Sequence, residues 1–211
     1  MKTALVIGAS GLVGGELVKL LSASSEYSRV ILLSRRPLNI HYPKTEVRVI
    51  DFDSPDPSLI TGDVVFCAIG TTIKKAGSKE AQRRIDLEYP LNLARIALKN
   101  GAKQFVLVSS LGADHNSSNF YLRTKGELEK GLTALNFPSL VIIRPSLILG
   151  NRSEFRFGEK MAVVLMGLIK PLMFGNLKRY RGVQASAIAA KMVSESLKSV
   201  QGSRLIQSES I

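Results

Sequence analysis

The stretch "YLRTK", from Tyr121 to Lys125, pairs a phenol with an ammonium four residues away. On a helix that spacing puts both side chains on one face. A free tyrosine gives up its proton only near pH ~10, and a neighbouring cation favours the phenolate. Such a pair suits proton exchange with a substrate oxygen. Upstream, "VLVSS" ends in Ser109 and Ser110. Ser110, or Ser109 in its place, could steady the same oxygen. A plain surface Tyr–Lys pair is the alternative, so the chemistry depends on what else the chain brings to this face.

A second group of residues answers that. "GASGLVGGELVKLL" follows the apolar run Ala4–Ile7 and places Gly8, Gly11 and Gly14 three apart. After a strand and at the start of a helix, glycines so spaced allow a sharp turn, a close approach of backbone to a pyrophosphate, and tight helix–sheet packing. The free amides of the helix N-terminus complete an anion cradle. A structural turn needs glycine too, but the position at the first strand and first turn favours a nucleotide. The next strand ends in "LLSRRP". Ser34 stands where an acidic residue would meet a free ribose 2′-hydroxyl, and Arg35 and Arg36 follow. Guanidinium groups grip a 2′-phosphate, which favours NADP(H) over NAD(H). Asp51, in "VRVIDFD", could accept a hydrogen bond from an adenine amino group or simply close a turn. Gly70 in "FCAIGTT" would let backbone lie against the adenosine ribose. Cys67 sits within an apolar strand and reads as core rather than nucleophile.

These residues need a scaffold. Apolar, β-branched runs predict strands at Ala4–Gly8, Val30–Ser34, Val47–Phe52, Val64–Ile69, Gln104–Ser109 and Leu140–Arg144. Continuous apolarity suits strands covered on both faces. Amphipathic stretches at Leu12–Ser22, Ala81–Lys99 (divided by Pro90) and Asn119–Leu135 predict the intervening helices. The alternation implies α/β architecture, a doubly wound parallel sheet of the Rossmann type, with right-handed crossovers. Beyond Arg144 the pattern loosens. Helices are expected near Glu159–Ile169 and Ala185–Leu197, and residues 151–182 read as a small C-terminal substrate lobe of a single domain spanning 1–211.

The 211 residues carry a net charge of +12 and one cysteine. One cysteine excludes an internal disulfide and fits a cytoplasmic location. The basic residues are scattered, with no nucleic-acid motif, so a specific nucleic-acid partner is not expected. No apolar run reaches the ~18 residues of a membrane span. Glu16 and Lys19 interrupt the only stretch that mimics an export signal. His41 and His115 lack metal-ligand spacing, so no metal site is expected. The apolar stretch after Glu159 could be core or interface, which leaves a homodimer or a protein partner open.

Taken together, "IGASGLVGGEL", "LLSRRP", "CAIGTTIKKAGS", "FVLVSSLGADHNSSNFYLRTKGELE" and "IIRPSLILGNRSEFRFGE" resemble the atypical short-chain dehydrogenase/reductases over nearly the whole chain, nearest to the Tat-interacting oxidoreductase-like branch. The stretch from "SSLGAD" through "NFYLRTKGE" is more specific than the glycines. The resemblance implies NADPH binding. Ser10, Gly11, Leu12 and Val13 would line the pyrophosphate turn, and Arg35 and Arg36 would take the 2′-phosphate. Ile69 and Gly70 would lie at the adenosine side, Ile148 by the nicotinamide, and Arg156 would be a further contact. Tyr121 would exchange the proton with Lys125 as its partner. The interval from Ser110 to Tyr121 is slightly shorter than in well-studied members. An NADPH-dependent oxidoreductase acting on a small carbonyl or related compound is the leading expectation. A dinucleotide-binding regulator acting through protein contacts is the rival.

Overall fold

A computed structural model describes residues 1–150, 180–198 and 200–211. Seven strands form one wholly parallel sheet: β1 (Lys2–Ile7), β2 (Tyr27–Ser34), β3 (Thr45–Val49), β4 (Val64–Cys67), β5 (Gln104–Val108), β6 (Ser139–Arg144) and, late in the chain, a seventh at Gly202–Gln207. A two-stranded pair, β7 (Ile148–Leu149) and β8 (Val183–Gln184), stands apart, so the seventh sheet strand is β9. The order β3-β2-β1-β4-β5-β6-β9 reverses direction between β1 and β4. Doubly wound sheets bind their ligands at that switch point, beyond the carboxyl ends of the strands.

The pleat sorts the core into two layers. Leu5, Ile7, Val65, Cys67, Phe105 and Leu107 face one side; Ala4, Val6, Val64, Phe66, Val106 and Val108 face the other. Side chains alternate along a strand, so a run apolar at every position must be covered on both faces. Helices α1 (Leu12–Ala23), α2 (Ile73–Ala76), α3 (Lys79–Arg83), α4 (Tyr89–Lys99), α5 (Phe120–Ala134) and α6 (Ala185–Ser196) surround the sheet. Leu93, Ala94, Leu128 and Leu132 of α4 and α5 seal the first layer. Leu17, Val18, Ile188 and Met192 of α1 and α6 seal the second.

Six strand expectations and the helices at α1, α5 and α6 agree with the structure to within a few residues. Three differences have physical reasons. The strand expected at Val47–Phe52 begins two residues earlier and ends three residues earlier, because Ile50, Asp51 and Phe52 already belong to the loop. β9 has no apolar run to betray it: among the described residues it pairs with β6 alone, and of its own side chains it buries only Ile206. The division at Pro90 occurs ahead of the proline, as a widened π-helical segment at Arg84–Glu88, where the Tyr89 amide donates to the Arg84 carbonyl. Pro90 has no N–H for the Asp86 carbonyl, and its ring crowds that group. The substrate lobe, apart from residues 180–182, and the helix expected near Glu159–Ile169 lie outside the described residues.

Glu195, on α6, is 1% exposed. Its carboxylate pairs with Lys198 at 2.6 Å, Arg204 at 3.0 Å and Lys191 at 3.3 Å, tying α6 to β9. Burial alone would raise its pKa, but hydrogen bonds from Lys198 and Lys191 and the charges of Arg204 and Lys198 hold it below the ordinary carboxylate value. A lowered folded-state pKa contributes stability that is present above the unfolded value of about 4.3. It is lost as pH falls through the folded value. The stability gap between wild type and Glu195→Gln, read from urea midpoints, is therefore expected to be widest near pH 7 and to close toward pH 3.

Candidate dinucleotide and proton-transfer site

The turn after β1 is built on two glycines with no room for a side chain. Gly8 has φ +94°, and a Cβ there would lie 2.7 Å from the Ala68 carbonyl carbon and the Ile69 nitrogen. Gly14, in the first turns of α1, would set a Cβ 2.0 Å from the Gly8 carbonyl oxygen. The Gly11 amide closes the turn onto that oxygen at 3.0 Å. Gly11 is also the helix N-cap, and no side chain caps α1. Its first amides are thus left for an external acceptor, in the manner of anion-binding helix termini.

Two of the cavities that border this turn meet at Gly11. One, of about 190 Å³, is lined by Gly8, Ser10, Gly11, Ser34, Arg35, Phe52, Ile69 and Gly70, among others. The other, of about 230 Å³, is lined by Gly11, Leu12, Val13, Ile69, Gly70, Ser109, Ser110, Tyr121, Lys125 and Ile148, among others. Gly11 and Ala68–Thr71 border both cavities. Such a two-lobed cleft, with an uncapped helix N-terminus and a cradle a Cβ would fill, fits a dinucleotide. The first lobe holds the arginine and the second the tyrosine and lysine.

Helix α5 begins at Phe120, where the Asn119 side chain accepts from the Leu122 amide at 3.1 Å. That start sets Tyr121 and Lys125 on the cleft-facing side. Tyr121 is 36% exposed at the cleft mouth, whereas Lys125 is 3% exposed. The lysine Nζ lies 5.9 Å from the Tyr121 ring centroid and 3.2 Å from Asp86 Oδ2. Burial works against the ammonium, but Asp86, with smaller contributions from Tyr121 and Cys67, outweighs it and holds the Lys125 pKa above the ordinary value. Ser109 and Ser110 part company. Ser109 donates to the buried Glu129 carboxylate. Glu129 also takes a hydrogen bond from Arg144 Nε at 2.9 Å. Ser110 makes only a long 3.3 Å contact to the Leu111 carbonyl, which leaves its hydroxyl to the cleft. Gly126 packs α5 onto the loop before it, since a Cβ there would fall 2.2 Å from Asp114 and His115 backbone.

The remaining expected residues divide. Asp51 and Arg36 line neither cavity. Asp51 accepts from the Asp53 amide at 2.9 Å, the turn-closing alternative, and the Arg36 amide donates to Ser34 Oγ at 3.3 Å. Arg156 lies outside the described residues. Cys67 is fully buried, and burial pushes its thiol up to about 11, as befits core. Among the described residues there is no cluster able to hold a metal and no helix long and apolar enough to cross a membrane. Sequence reasoning missed Asp86, Thr71, Ser146 and Leu147, all of which line the second lobe. For Asp86 a signal existed: an acid four residues before a proline, where the helix must widen.

Seven parallel strands, a glycine turn at the switch point and a cleft on both sides of it define a Rossmann-type dinucleotide-binding protein. Residues 8–152 match the family model described as NAD(P)H-binding, and the chain belongs to that family. It is 38% identical to protein HTATIP2 of Rattus norvegicus over 172 residues, covering 79% of this chain and 71% of the rat protein. It is 32% identical to the mitochondrial protein FMP52 of Coccidioides immitis over 217 residues, covering 96% of this chain and 88% of that one. Among solved structures it is similar to MoeE5 in complex with UDP-glucose and NAD, with TM-score 0.74, 17% identity, and coverage of 96% of this chain and 74% of that one. It is also similar to human epimerase family protein SDR39U1 with NADPH, with TM-score 0.65, 19% identity, and coverage of 97% and 74%. At such identities the structures speak for the fold.

Proposed function

We propose that the chain is an NADPH-dependent oxidoreductase acting on a small carbonyl or related compound. The observation that carries this reading is the second lobe of the cleft. There Tyr121, Lys125 and Ser110 border the same space as the glycine turn. NADPH, when bound, supplies the reducing equivalent. The protein does the rest. Amides of the α1 N-terminus hold the pyrophosphate. Lys125 offers its ammonium to the ribose beside the nicotinamide. Ser110 donates a hydrogen bond to the substrate oxygen, and Tyr121 delivers the proton to it. Leu12, Leu147 and Ile148 give the reacting end an apolar wall.

Arg35 supports NADPH over NADH, because it borders the first lobe while Ser34 occupies the place of a repelling acid. Arg35→Ala is expected to weaken NADPH binding at least ~10-fold and leave NADH nearly unchanged, as fluorescence titration with each cofactor would show. The buried single cysteine accords with a reducing compartment, cytoplasm in the simplest reading. The fungal relatives are named mitochondrial, so fractionation of tagged protein is the deciding measurement.

The test of function is oxidation of NADPH followed by its absorbance across a panel of aldehydes, ketones and enones. Turnover with any of them supports the proposal. NADPH binding without turnover by any compound favours a dinucleotide-binding regulator instead. Absence of NADPH binding removes both.

A further inference from the structure

Asp86 lies wholly inside the protein, on the π-helical segment between α3 and α4. Its side chain is shielded from solvent. Its two oxygens do different things. Oδ1 accepts from the Thr71 amide at 2.8 Å, fixing the turn that borders both lobes of the cleft. Oδ2 faces the Lys125 ammonium at 3.2 Å. Gln82, also buried, holds the other side of the same peptide segment, donating to the Thr71 carbonyl at 3.1 Å.

A buried carboxylate is costly unless paired, and so is a buried ammonium. Two such groups facing each other at the wall of a ligand cleft keep one another ionised. Lys125 can then present a permanent charge to whatever enters. Without Asp86, burial would drive the lysine toward its neutral form. The π segment makes the placement possible: a helix widened by one residue turns Asp86 inward, and such bulges are frequent at functional sites.

We infer that Asp86 is a positioning residue of the cofactor site, which acts through Lys125 by holding its ammonium charged and aimed at the nicotinamide ribose. This rests on the reading of the cleft as an NADPH site. Among the described residues, the charged or titratable groups that face Lys125 are Asp86 from the π segment, Cys67 from β4 and Tyr121 from α5 itself. Of these, Asp86 alone is a carboxylate.

The test is NADPH titration by fluorescence for wild type, Asp86→Asn, Lys125→Met and the double variant, from about pH 6.5 to about pH 9.5, since a buried lysine deprived of its partner loses its proton below the ordinary lysine range. Asparagine keeps an acceptor for the Thr71 amide and removes only the charge. Wild-type affinity is expected to stay flat across this range. Asp86→Asn is expected to bind at least ~10-fold more weakly at about pH 9 than wild type, with the deficit growing as pH rises and Lys125 loses its proton. In the Lys125→Met background the same change is expected to alter affinity by less than ~2-fold. Equal affinity of Asp86→Asn and wild type at every pH overturns the inference. So does a tenfold further loss on adding Asp86→Asn to Lys125→Met. If Asp86→Asn alone does not fold, recovery of a native circular dichroism spectrum in the double variant supports the inference, and its absence overturns it. Failure of wild type to bind NADPH overturns the functional reading itself, a result distinct from these.

Discussion

Gly14→Ala is expected to cost more than ~3 kcal/mol of stability and more than ~100-fold in NADPH affinity. The added methyl would sit 2.0 Å from the Gly8 carbonyl oxygen and 2.9 Å from Ala9 Cα. Both are backbone atoms and cannot rotate aside. Overpacking a well-filled site typically costs about 1–3 kcal/mol, and here relief requires moving α1 away from the turn. That movement opens the pyrophosphate cradle, so stability and binding fail together. For a protein of this size ~3 kcal/mol corresponds to about 6–12 °C in Tm. Gly15→Ala is the matched control. Its Cβ would meet the nearest atom, the Ala9 carbonyl oxygen, at 3.8 Å, an ordinary contact. Within a helix alanine is favoured over glycine by up to ~1 kcal/mol. Thermal melts of the two variants should therefore shift in opposite directions, and NADPH titration should show a loss for Gly14→Ala alone. A Gly14→Ala protein with wild-type Tm would show that α1 does not press against the turn.

Tyr121→Phe is expected to lower kcat by about 10²–10⁴ on any carbonyl that wild type reduces, the range over which a positioned proton donor contributes. NADPH affinity should change less than ~3-fold, well under the tenfold that ~1.4 kcal/mol represents. The reason for the split is geometric. The ring lies at the cleft mouth, 36% exposed, and its hydroxyl has no role in the glycine turn. The loss of one oxygen leaves Lys125 paired with Asp86, so the cofactor wall stays intact. Stability should be nearly unchanged, since the ring stands at the surface. Steady-state kinetics with separate kcat and KM, alongside cofactor titration, decide the matter. A variant with full kcat would assign the proton to another group, and a variant that loses NADPH binding would make Tyr121 a cofactor ligand rather than a proton donor.

Much of the site is legible in the amino-acid sequence. Gly8 and Gly14 stand where backbone meets backbone, and only glycine satisfies that contact, so sequence spacing carries the geometry directly. Tyr121 and Lys125 share a face because helical periodicity leaves no other arrangement. Ser110 differs from Ser109 in sequence only by position. Their different partners, Glu129 for one and the cleft for the other, depend on a carboxylate carried by another element, 20 positions beyond Ser109. Arg35 and Arg36 are alike in sequence, yet of the two only the first borders the cleft, a difference set by the bend that follows β2. Asp51, expected at the adenine, accepts from the Asp53 amide, a local bond always available to an aspartate two residues before an amide.

The layered α/β fold and the glycine turn after β1 follow from the order of amino acids alone. Both rest on local rules, namely apolar runs long enough to need cover on two faces and glycines where no side chain fits. The second half of the cleft is different in kind, because it is assembled by contacts between remote segments. Asp86 reaches Lys125 from a separate helical segment much earlier in the chain. β9 pairs with β6 although β7, β8 and the helix α6 intervene, so that Gly202 comes to lie against Ser139. Contacts of that span carry no period and no spacing rule, so they exist only once the sheet has brought distant segments side by side.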